Sequence, residues 1–355
     1  MSFLSLLNIA LPIIQAPLAG AQGSAMAVAV SNAGGLGSLP CAMLSLQALR
    51  DELNVLRAQT TRPYNVNFFC HTPPVPDATQ DAAWATALAP YFDELGLDHQ
   101  TQDVNAGRAP FTAEVAELLA EFEPPVVSFH FGLPSADLLE RVKGWGAKVL
   151  SSATTVEEAL WLERHGVDAI IAQGLEAGGH RGHFLSHDLT LQMGTFALLP
   201  QVLRAVRVPV IAAGGIADAR GVAAALALGA SAAQVGTAYL LSSEATTNTV
   251  HRAALKSEAA RHTALTNLFT GRPARGIMNR LMRDLGPLSA VAPAFPLAGM
   301  RLAPLRAAAL SQGRPDFVSL WCGQNASACR EIGAAELTRE LAGSVHNTVS
   351  DTHPG

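Results

Sequence analysis

The sequence predicts an α/β fold: a (β/α)8 TIM barrel with an insertion after its third strand and an additional, mostly helical C-terminal lobe. Short apolar runs alternate with amphipathic or alanine-rich stretches, which is typical of parallel strands joined by helices. Hydrophobic residues make up 49% of the 355 residues, so a large core can be buried. Glycines cluster after the sixth, seventh and eighth runs, and barrels place phosphate sites after the last two strands. An open doubly wound sheet would need a G-x-G-x-x-G turn after its first strand, where residues 16–23 read APLAGAQG.

The predicted strands are short apolar runs, and the predicted helices between them carry apolar residues at helical spacing or are rich in alanine. The strands are predicted at 13–16, 35–39, 64–69, 126–131, 148–152, 169–173, 208–213 and 232–236. The helices are predicted at 24–32, 46–58, 136–144, 156–165, 200–206 and 219–228. Ser135, Thr155 and Asp218 precede three of these helices, where their side-chain oxygens can cap the first turn.

Residues 1–260 are predicted to form the barrel domain, interrupted by a helical excursion at about 73–125. Residues 261–344 are predicted to form a mostly helical lid or substrate lobe over the C-terminal mouth of the barrel. Residues 345–355 are predicted to be a disordered tail.

Composition excludes several classes of partner. The formal net charge of −5 gives no reason to expect nucleic acid or an anionic membrane. No apolar stretch reaches the roughly 18 uninterrupted residues that span a bilayer, and no basic segment of a secretory signal precedes the first strand. The four cysteines have no metal-type spacing, so we expect reduced thiols, no metal site and a cytoplasmic location. The oligomeric state stays open.

Two glycine turns predict a site for a phosphate. The seventh strand ends in Gly214 and Gly215, and the eighth ends in Gly236 and Thr237. Each turn offers backbone N–H groups at the start of a helix, where the helix dipole adds partial positive charge. The alternative is that these glycines serve only the tight turns between strand and helix.

Amide side chains at other strand ends are predicted to face the same mouth. Asn65 and Asn67 alternate with apolar residues on the third strand and so point to one side. Gln173 ends the sixth strand. A flat, heteroatom-rich ligand would satisfy such amides, and hydrogen bonds that only brace loops are the alternative.

His180 is the candidate catalytic residue because it directly follows Gly178 and Gly179 in a loop that leaves a buried strand. His130, near the end of the fourth strand, is more often structural in such a place. Glu176 is read either as a brace of this loop or as a solvated turn residue. His183 and His187 are predicted to be loop or surface residues.

The chain resembles the nitronate monooxygenases, formerly 2-nitropropane dioxygenases, which are FMN-dependent barrels. The matching segments are PIIQAPLAG at 12–20, NAGGLGS at 32–38, YNVNFF at 64–69, QGLEAGGHRG at 173–182, AAGGI at 212–216 and QVGT at 234–237. The EAGGHRG segment is quite specific to this family, whereas AAGGI and QVGT also occur in other phosphate-binding barrels.

The resemblance implies an enzyme that oxidises alkyl nitronates such as propionate-3-nitronate with O2, giving a carbonyl compound and nitrite. It implies that His180 acts on the nitronate or on a neutral nitroalkane beside the flavin. It also implies that FMN is held by Asn67, Gln173, Gly178, Gly179, Gly214, Gly215, Gln234, Val235, Gly236 and Thr237.

Three alternatives remain. An FMN-dependent NAD(P)H:quinone or enoyl-thioester reductase could use the same barrel, and the chain departs from the family pattern in having no tyrosine after Tyr239. An isomerase of a phosphorylated sugar or nucleotide would bind no flavin, but no carboxylate pair or lysine stands at the predicted strand ends. A non-catalytic flavin-binding protein is the third, and His180 beside the glycine pair counts against it.

Overall fold

The computed structural model describes residues 2–99 and 108–343, so the predicted tail at 345–355 lies outside the described residues. The strands, in chain order, are β1 (Ile13–Gln15), β2 (Gly37–Pro40), β3 (Tyr64–Phe69), β4 (Val126–His130), β5 (Lys148–Ala153), β6 (Ala169–Gln173), β7 (Gly179–His180), β8 (Val210–Ala213), β9 (Ala232–Val235), β10 (Thr263–Thr266) and β11 (Ala274–Ile277). Eight of them form one parallel sheet in the order β1-β9-β8-β6-β5-β4-β3-β2. A parallel bridge between Ile14 and Leu36 joins β1 to β2, so the sheet is a nearly closed barrel. The predicted TIM barrel is confirmed, and the strands differ from the predicted ones only at their ends.

The helices surround the barrel and build the lobe. They are α1 (Phe3–Leu7), α2 (Ser24–Asn32), α3 (Leu46–Gln59), α4 (Ala78–Leu95), α5 (Ala113–Phe122), α6 (Ala136–Gly144), α7 (Val156–Arg164), α8 (Thr195–Ala205), α9 (Ala219–Ala227), α10 (Thr249–Leu255), α11 (Arg280–Leu285), α12 (Ala298–Ser311) and α13 (Ala334–Ala342). Short 3-10 turns lie at Leu189–Leu191, Thr237–Leu241 and Glu258–Arg261.

The predicted caps are present in two of three cases. Thr155 accepts a hydrogen bond from Glu158 N, and Asp218 accepts one from Gly221 N. Ser135 stands at the start of α6, but its side chain makes no capping bond.

Helix α8 begins before its predicted start at 200. The predicted range of 200–206 begins at Pro200, and the first turn is the usual place for proline. The helix instead begins at Thr195, whose N–H donates to both carboxylate oxygens of Glu176 at 2.9 and 2.8 Å. A tertiary contact therefore sets this helix terminus, and Pro200 lies inside the helix.

The C-terminal region, predicted to be mostly helical, contains α11 and α12 and also a small antiparallel sheet, β10-β11-β7. The third strand of this sheet, β7, belongs to the loop after β6. It pairs with β11 through His180 with Ala274 and Gly179 with Arg275. This pairing ties the His180 loop of the barrel directly to the lobe.

The insertion packs into the lobe, and the last helix returns to the barrel. Trp84 of α4 is fully buried and donates from Nε1 to Ala298 O at 3.1 Å. Helix α13 packs against α2, α9 and β1. Its Leu337 and Leu341 share a buried cluster with Ile13 and Val30 of the barrel.

No helix within the described ranges, 2–99 and 108–343, has both the length and the apolar character needed to cross a membrane.

Candidate active site

A cavity of about 420 Å³ lies between the carboxyl ends of the barrel strands and the lobe. The barrel contributes Asn67, Gln173, His180 and Thr237 to its wall, and the lobe contributes Trp321. Barrel enzymes place their reacting groups at this end of the strands. The cavity is therefore the candidate active site.

The two glycine turns border this cavity and carry backbone N–H groups that are not used by the fold. Gly214 and Gly215 have φ values of +119° and +73°, a region in which side chains are strained. Within the described part of the chain, the N–H groups of Gly215, Gly236 and Thr237 donate no hydrogen bond. Thr237 Oγ1 accepts from Gly323 N at 2.9 Å, which leaves its hydroxyl hydrogen free to donate. The turns can hold a phosphate, because several donors converge there without a protein acceptor.

Gly178 lies where the lobe meets the His180 loop. A Cβ atom there would stand 2.5 Å from Gly323 N and 2.7 Å from the carbonyl carbon of Cys322. Gln324 N donates to Glu176 O at 2.9 Å in the same contact. The absence of a side chain at this position allows the lobe to close over the cavity.

The predicted amides lie inside the barrel mouth, and their hydrogen bonds differ. Asn67 Nδ2 donates to Ser128 Oγ at 2.9 Å, as does Asn65 Nδ2 at the same distance. Of the two, Asn67 lines the cavity, whereas Asn65 Oδ1 is buried without a partner among the described residues. Gln173 lines the cavity but its amide braces the loop: Nε2 donates to His180 O at 2.9 Å, and Oε1 accepts from Gly182 N at 2.8 Å.

The remaining predicted site residues lie at the cavity wall, in the hydrophobic core or in a neighbouring loop contact. Gln234 lines the cavity. Val235 is fully buried in the core, and its carbonyl accepts from Ala16 N at 2.8 Å. Glu176 braces its loop through Thr195, which was one of its two predicted roles.

His180 lies among aromatic rings, with ring-centroid distances of 6.2 Å to Phe69, 6.1 Å to Phe131, 5.4 Å to Phe295 and 5.5 Å to Trp321. Burial lowers the pKa of this imidazole well below its usual range, and the positive charge of nearby arginines lowers it further. The ring is therefore neutral at pH 7.

The hydrogen bonds of Thr270 assign the tautomer of His180. Thr270 Oγ1 lies 2.9 Å from His180 Nε2 and donates to Arg272 O at 3.3 Å. We assign the hydroxyl hydrogen to that carbonyl, so that Oγ1 accepts from Nε2–H and the lone pair lies on Nδ1. Nδ1 has no hydrogen-bond partner among the described residues. A neutral imidazole with a free lone pair can accept a proton.

His130 contacts the backbone of His180. Its Nδ1 lies 2.6 Å from Ser152 Oγ and its Nε2 lies 3.3 Å from His180 O. Burial lowers the pKa of His130 to about 3, helped by the positive charge of Arg272. These contacts fit the structural role that is more common for a histidine on a strand.

His183 lies in a loop, which was one of its two predicted settings, but it is buried and not on the surface. Its side chain is 1% exposed, and neither ring nitrogen has a partner among the described residues. The cause is the pairing of β7 with β11, which draws the following residues under the lobe, where Arg272 donates to His183 O. His187 is exposed as predicted.

Other cavity residues had no signal in the sequence. Arg108 from the insertion, Arg306 of α12 and Trp321 line the cavity, and Thr270 contacts His180 from the lobe. No motif surrounds these residues, and only the packing of the lobe brings them to the barrel mouth.

The family model described as "Nitronate monooxygenase" matches residues 2–343. A nitronate monooxygenase of Paraburkholderia phytofirmans is 43% identical over 343 residues, which are 96% of this chain and 93% of that protein. The crystal structure of a nitroalkane oxidase from Streptomyces ansochromogenes matches with a TM-score of 0.89 at 38% identity and covers 99% of this chain and 100% of its own. The structure of FabK from Thermotoga maritima matches with a TM-score of 0.73 at 29% identity and covers 98% and 96% of the two chains.

Proposed function

The chain belongs to the nitronate monooxygenase family, and from this premise we propose that it oxidises alkyl nitronates with O2 to a carbonyl compound and nitrite, using FMN. Propionate-3-nitronate represents the proposed substrate class. The observation that carries the proposal is a neutral His180 with a free Nδ1. It lies in a cavity that is also bordered by unused backbone N–H groups able to bind a phosphate.

The residues present fit FMN. Its phosphate would be held by the turns after β8 and β9, where N–H groups converge without a protein acceptor. The cofactor-binding residues of the proposal are Asn67, Gln173, Gly178, Gly179, Gly214, Gly215, Gln234, Val235, Gly236 and Thr237. Of these, Val235 would act only through its backbone, because its side chain is buried in the core. FMN supplies the electron acceptor for the oxidation when it is bound.

His180 would move the proton in this reaction. Nδ1 accepts the α-proton of a neutral nitroalkane, and the hydrogen bond from Nε2–H to Thr270 keeps the ring in the correct tautomer. For a nitronate that arrives ionised, the ring orients the anion and needs to take no proton.

The aromatic rings around His180 exclude water, and the positive charges near His180 favour an anion. Phe69, Phe131, Phe295 and Trp321 surround His180 on several sides. Electrostatic attraction is stronger in such a dry site than in water. The arrangement therefore favours a nitronate anion over a neutral molecule of the same shape.

The test is an anaerobic absorbance measurement on the FMN-loaded protein. We expect propionate-3-nitronate to change the flavin spectrum and NADH to leave it unchanged, and O2 should then yield nitrite. Bleaching by NADH alone would favour the quinone or enoyl-thioester reductase. A protein that takes up no FMN would exclude both reactions.

A further inference from the structure

Two guanidinium groups line the cavity without a counter-ion. Arg108 precedes α5, and Arg306 lies on α12; both side chains are half-buried. Neither guanidinium group forms a hydrogen bond or an ion pair with any residue of 2–99 or 108–343. Burial lowers the pKa of Arg108 to about 10, and the positive charge of Arg306 lowers it further. The two charges therefore lie close enough to repel each other in a partly desolvated place.

Three other buried or half-buried arginines of this protein have acceptors within the fold. Arg181 donates to the carbonyls of Gly174 and Gln173, each at 2.7 Å. Arg275 donates to Leu175 O at 2.8 Å. Arg301, on the same helix as Arg306, forms an ion pair with Asp81 at 2.5 Å. Because a buried charge without a partner is destabilising, the lack of a partner for Arg108 and Arg306 among residues 2–99 and 108–343 favours an anionic ligand in the cavity.

The cavity contains no spare carboxylate for them. Glu176 is the one acidic side chain among the described residues of the wall. Its oxygens already accept from Thr195 N at 2.9 and 2.8 Å and from Thr195 Oγ1 at 2.9 Å. The wall therefore carries excess positive charge, which an anionic ligand would neutralise.

Arg108 lies near His180, and Arg306 lies near Arg108. The charge of Arg108 is the strongest electrostatic influence on the pKa of His180 after burial itself. The glycine turns, with donors of their own, would hold the phosphate of FMN. An anion bound by the arginines would therefore belong to the molecule that reacts beside His180.

We propose that Arg108 and Arg306 form a subsite for a carboxylate of the substrate, and that they select nitronates carrying this second negative group. The inference rests on the proposed function and names the substrate class within it. A guanidinium matches a carboxylate with two parallel hydrogen bonds, which an alkyl chain cannot accept. The cavity of about 420 Å³ also has to hold FMN, so the substrate carries its carboxylate on a short carbon chain.

The first experiment compares two nitronates with the same three carbons. Propionate-3-nitronate carries a carboxylate where propyl-1-nitronate carries a methyl group. In Arg108→Met and Arg306→Met we expect kcat/KM for the carboxylate substrate to fall about 10- to 100-fold, mainly through KM, because a charge-assisted hydrogen bond is lost. The value for propyl-1-nitronate should change by less than about 3-fold. Arg108→Lys and Arg306→Lys keep the charge and should recover part of the loss.

Arg301→Met is the matched control, since it removes a guanidinium from the same helix outside the cavity wall. It should leave the ratio between the two substrates unchanged. An unaltered protein that uses both nitronates equally well, or variants that lose activity equally on both, would overturn the subsite. The comparison of the two substrates on the unaltered protein does not depend on whether any variant folds.

A binding measurement separates the subsite from the proposed reaction. Oxidised, FMN-loaded protein is titrated anaerobically with 3-nitropropionate and with 1-nitropropane, and binding is followed by calorimetry. Tighter binding of 3-nitropropionate that disappears in both Met variants supports the subsite even if no nitronate is turned over, an outcome that would refute only the proposed function. Turnover of nitronates without preferential binding of the carboxylate compound would refute only the subsite.

Discussion

At the residue scale, the proposed chemistry depends on which nitrogen of His180 carries the proton. Thr270 fixes this proton on Nε2 by using its own hydroxyl hydrogen on Arg272 O. Burial keeps the pKa of the ring well below its usual range, so Nδ1 stays unprotonated at neutral pH. The base form is therefore present throughout pH 6.5 to 8. Any acid limb from His180 must lie below this range.

Replacing His180 by Asn removes the proton acceptor and keeps a side chain of similar polarity. We expect FMN to stay bound, while turnover of a neutral nitroalkane falls by about 10²-fold or more, the effect typical of a lost general base. A nitronate prepared in advance should be affected less. Nitrite release and the flavin spectrum measure the two effects, and unchanged rates on nitroalkane would remove His180 from the mechanism.

Replacing Thr270 by Val removes the acceptor for Nε2–H, so the tautomer of His180 is no longer fixed. We expect kcat for a neutral nitroalkane to fall roughly 10-fold, with little change for a preformed nitronate. Thr270→Ser keeps the hydroxyl and should restore the rate. Equal losses on both substrates, or no rescue by Ser, would mean that Thr270 acts only on the local packing.

Sequence alone could single out His180 but not the residues that act with it. The sequence beside His180 is a glycine pair, which offers a histidine no local packing partner. Thr270, Arg108 and Arg306 come from the lobe and the insertion, where no local pattern predicts contact with the barrel mouth. The burial of the loop residue His183 was not predicted, because the pairing of β7 with β11 has no signal in two residues.

At the element scale, the cavity depends on a close contact between the His180 loop and the lobe. The contact needs Gly178, since a Cβ would collide with the backbone of Gly323 and Cys322. The same lobe segment donates from Gly323 N to Thr237 and from Asn325 Nδ2 to Gly215 O. A displacement of this segment would therefore disturb the turns that are proposed to hold the phosphate.

Gly178→Ala is expected to weaken FMN binding by about 10-fold or more, because the added methyl group pushes the lobe segment away from the turns after β8 and β9. Gly144→Ala is the control: it makes the same change at the end of α6, where no atom lies within 4 Å of the new Cβ. Fluorescence titration with FMN measures both variants. Equal FMN affinities in the two variants would contradict this account.

The barrel strands were predictable because parallel strands buried on both faces appear as continuous apolar runs. Strands β10 and β11 were not, since Thr263–Thr266 and Ala274–Ile277 are short and only their partners make them strands. The start of α8 was missed for a related reason, because Glu176 from another loop fixes it.

At the scale of the whole molecule, several histidines are buried in the neutral form. Burial lowers the pKa of His71 and His251 to about 4, and that of His130 and His183 to about 3. An unfolded chain would hold these groups near pKa 6.5. Between pH 6.5 and about 4 the unfolded state therefore binds more protons than the folded state.

The free energy of unfolding should accordingly decrease as the pH falls from 6.5, by about 1.4 kcal/mol per pH unit for each histidine that takes up a proton on unfolding. Paired carboxylates such as Glu94 add their losses only at lower pH, because their ordinary pKa is near 4.5. Urea unfolding at fixed FMN concentration between pH 7 and 5 measures the slope. A stability that stays constant over this range would show that these histidines are not buried as neutral groups.

The architecture of the barrel followed from the repeated alternation of apolar runs and helical stretches, which is a signal spread over most of the chain. The way in which the lobe joins the barrel did not follow, because packing between distant segments leaves no periodic pattern. The proposed division at 260 stays a prediction, and α4 of the insertion and α12 of the lobe form one packed unit.

The bridge between Ile14 and Leu36 has a consequence for how the protein is made. It joins β1 to β2 near the place where α13 packs on α2 and β1. The ribosome produces β1 and β2 early and α13 only after every strand of the barrel. Until synthesis has passed Leu341, the nascent chain therefore lacks the side chains with which α13 completes the cluster around Ile13 and Val30. A chain that ends before α13 would leave this apolar surface exposed to chaperones and proteases, although every described residue of the cavity wall would be present.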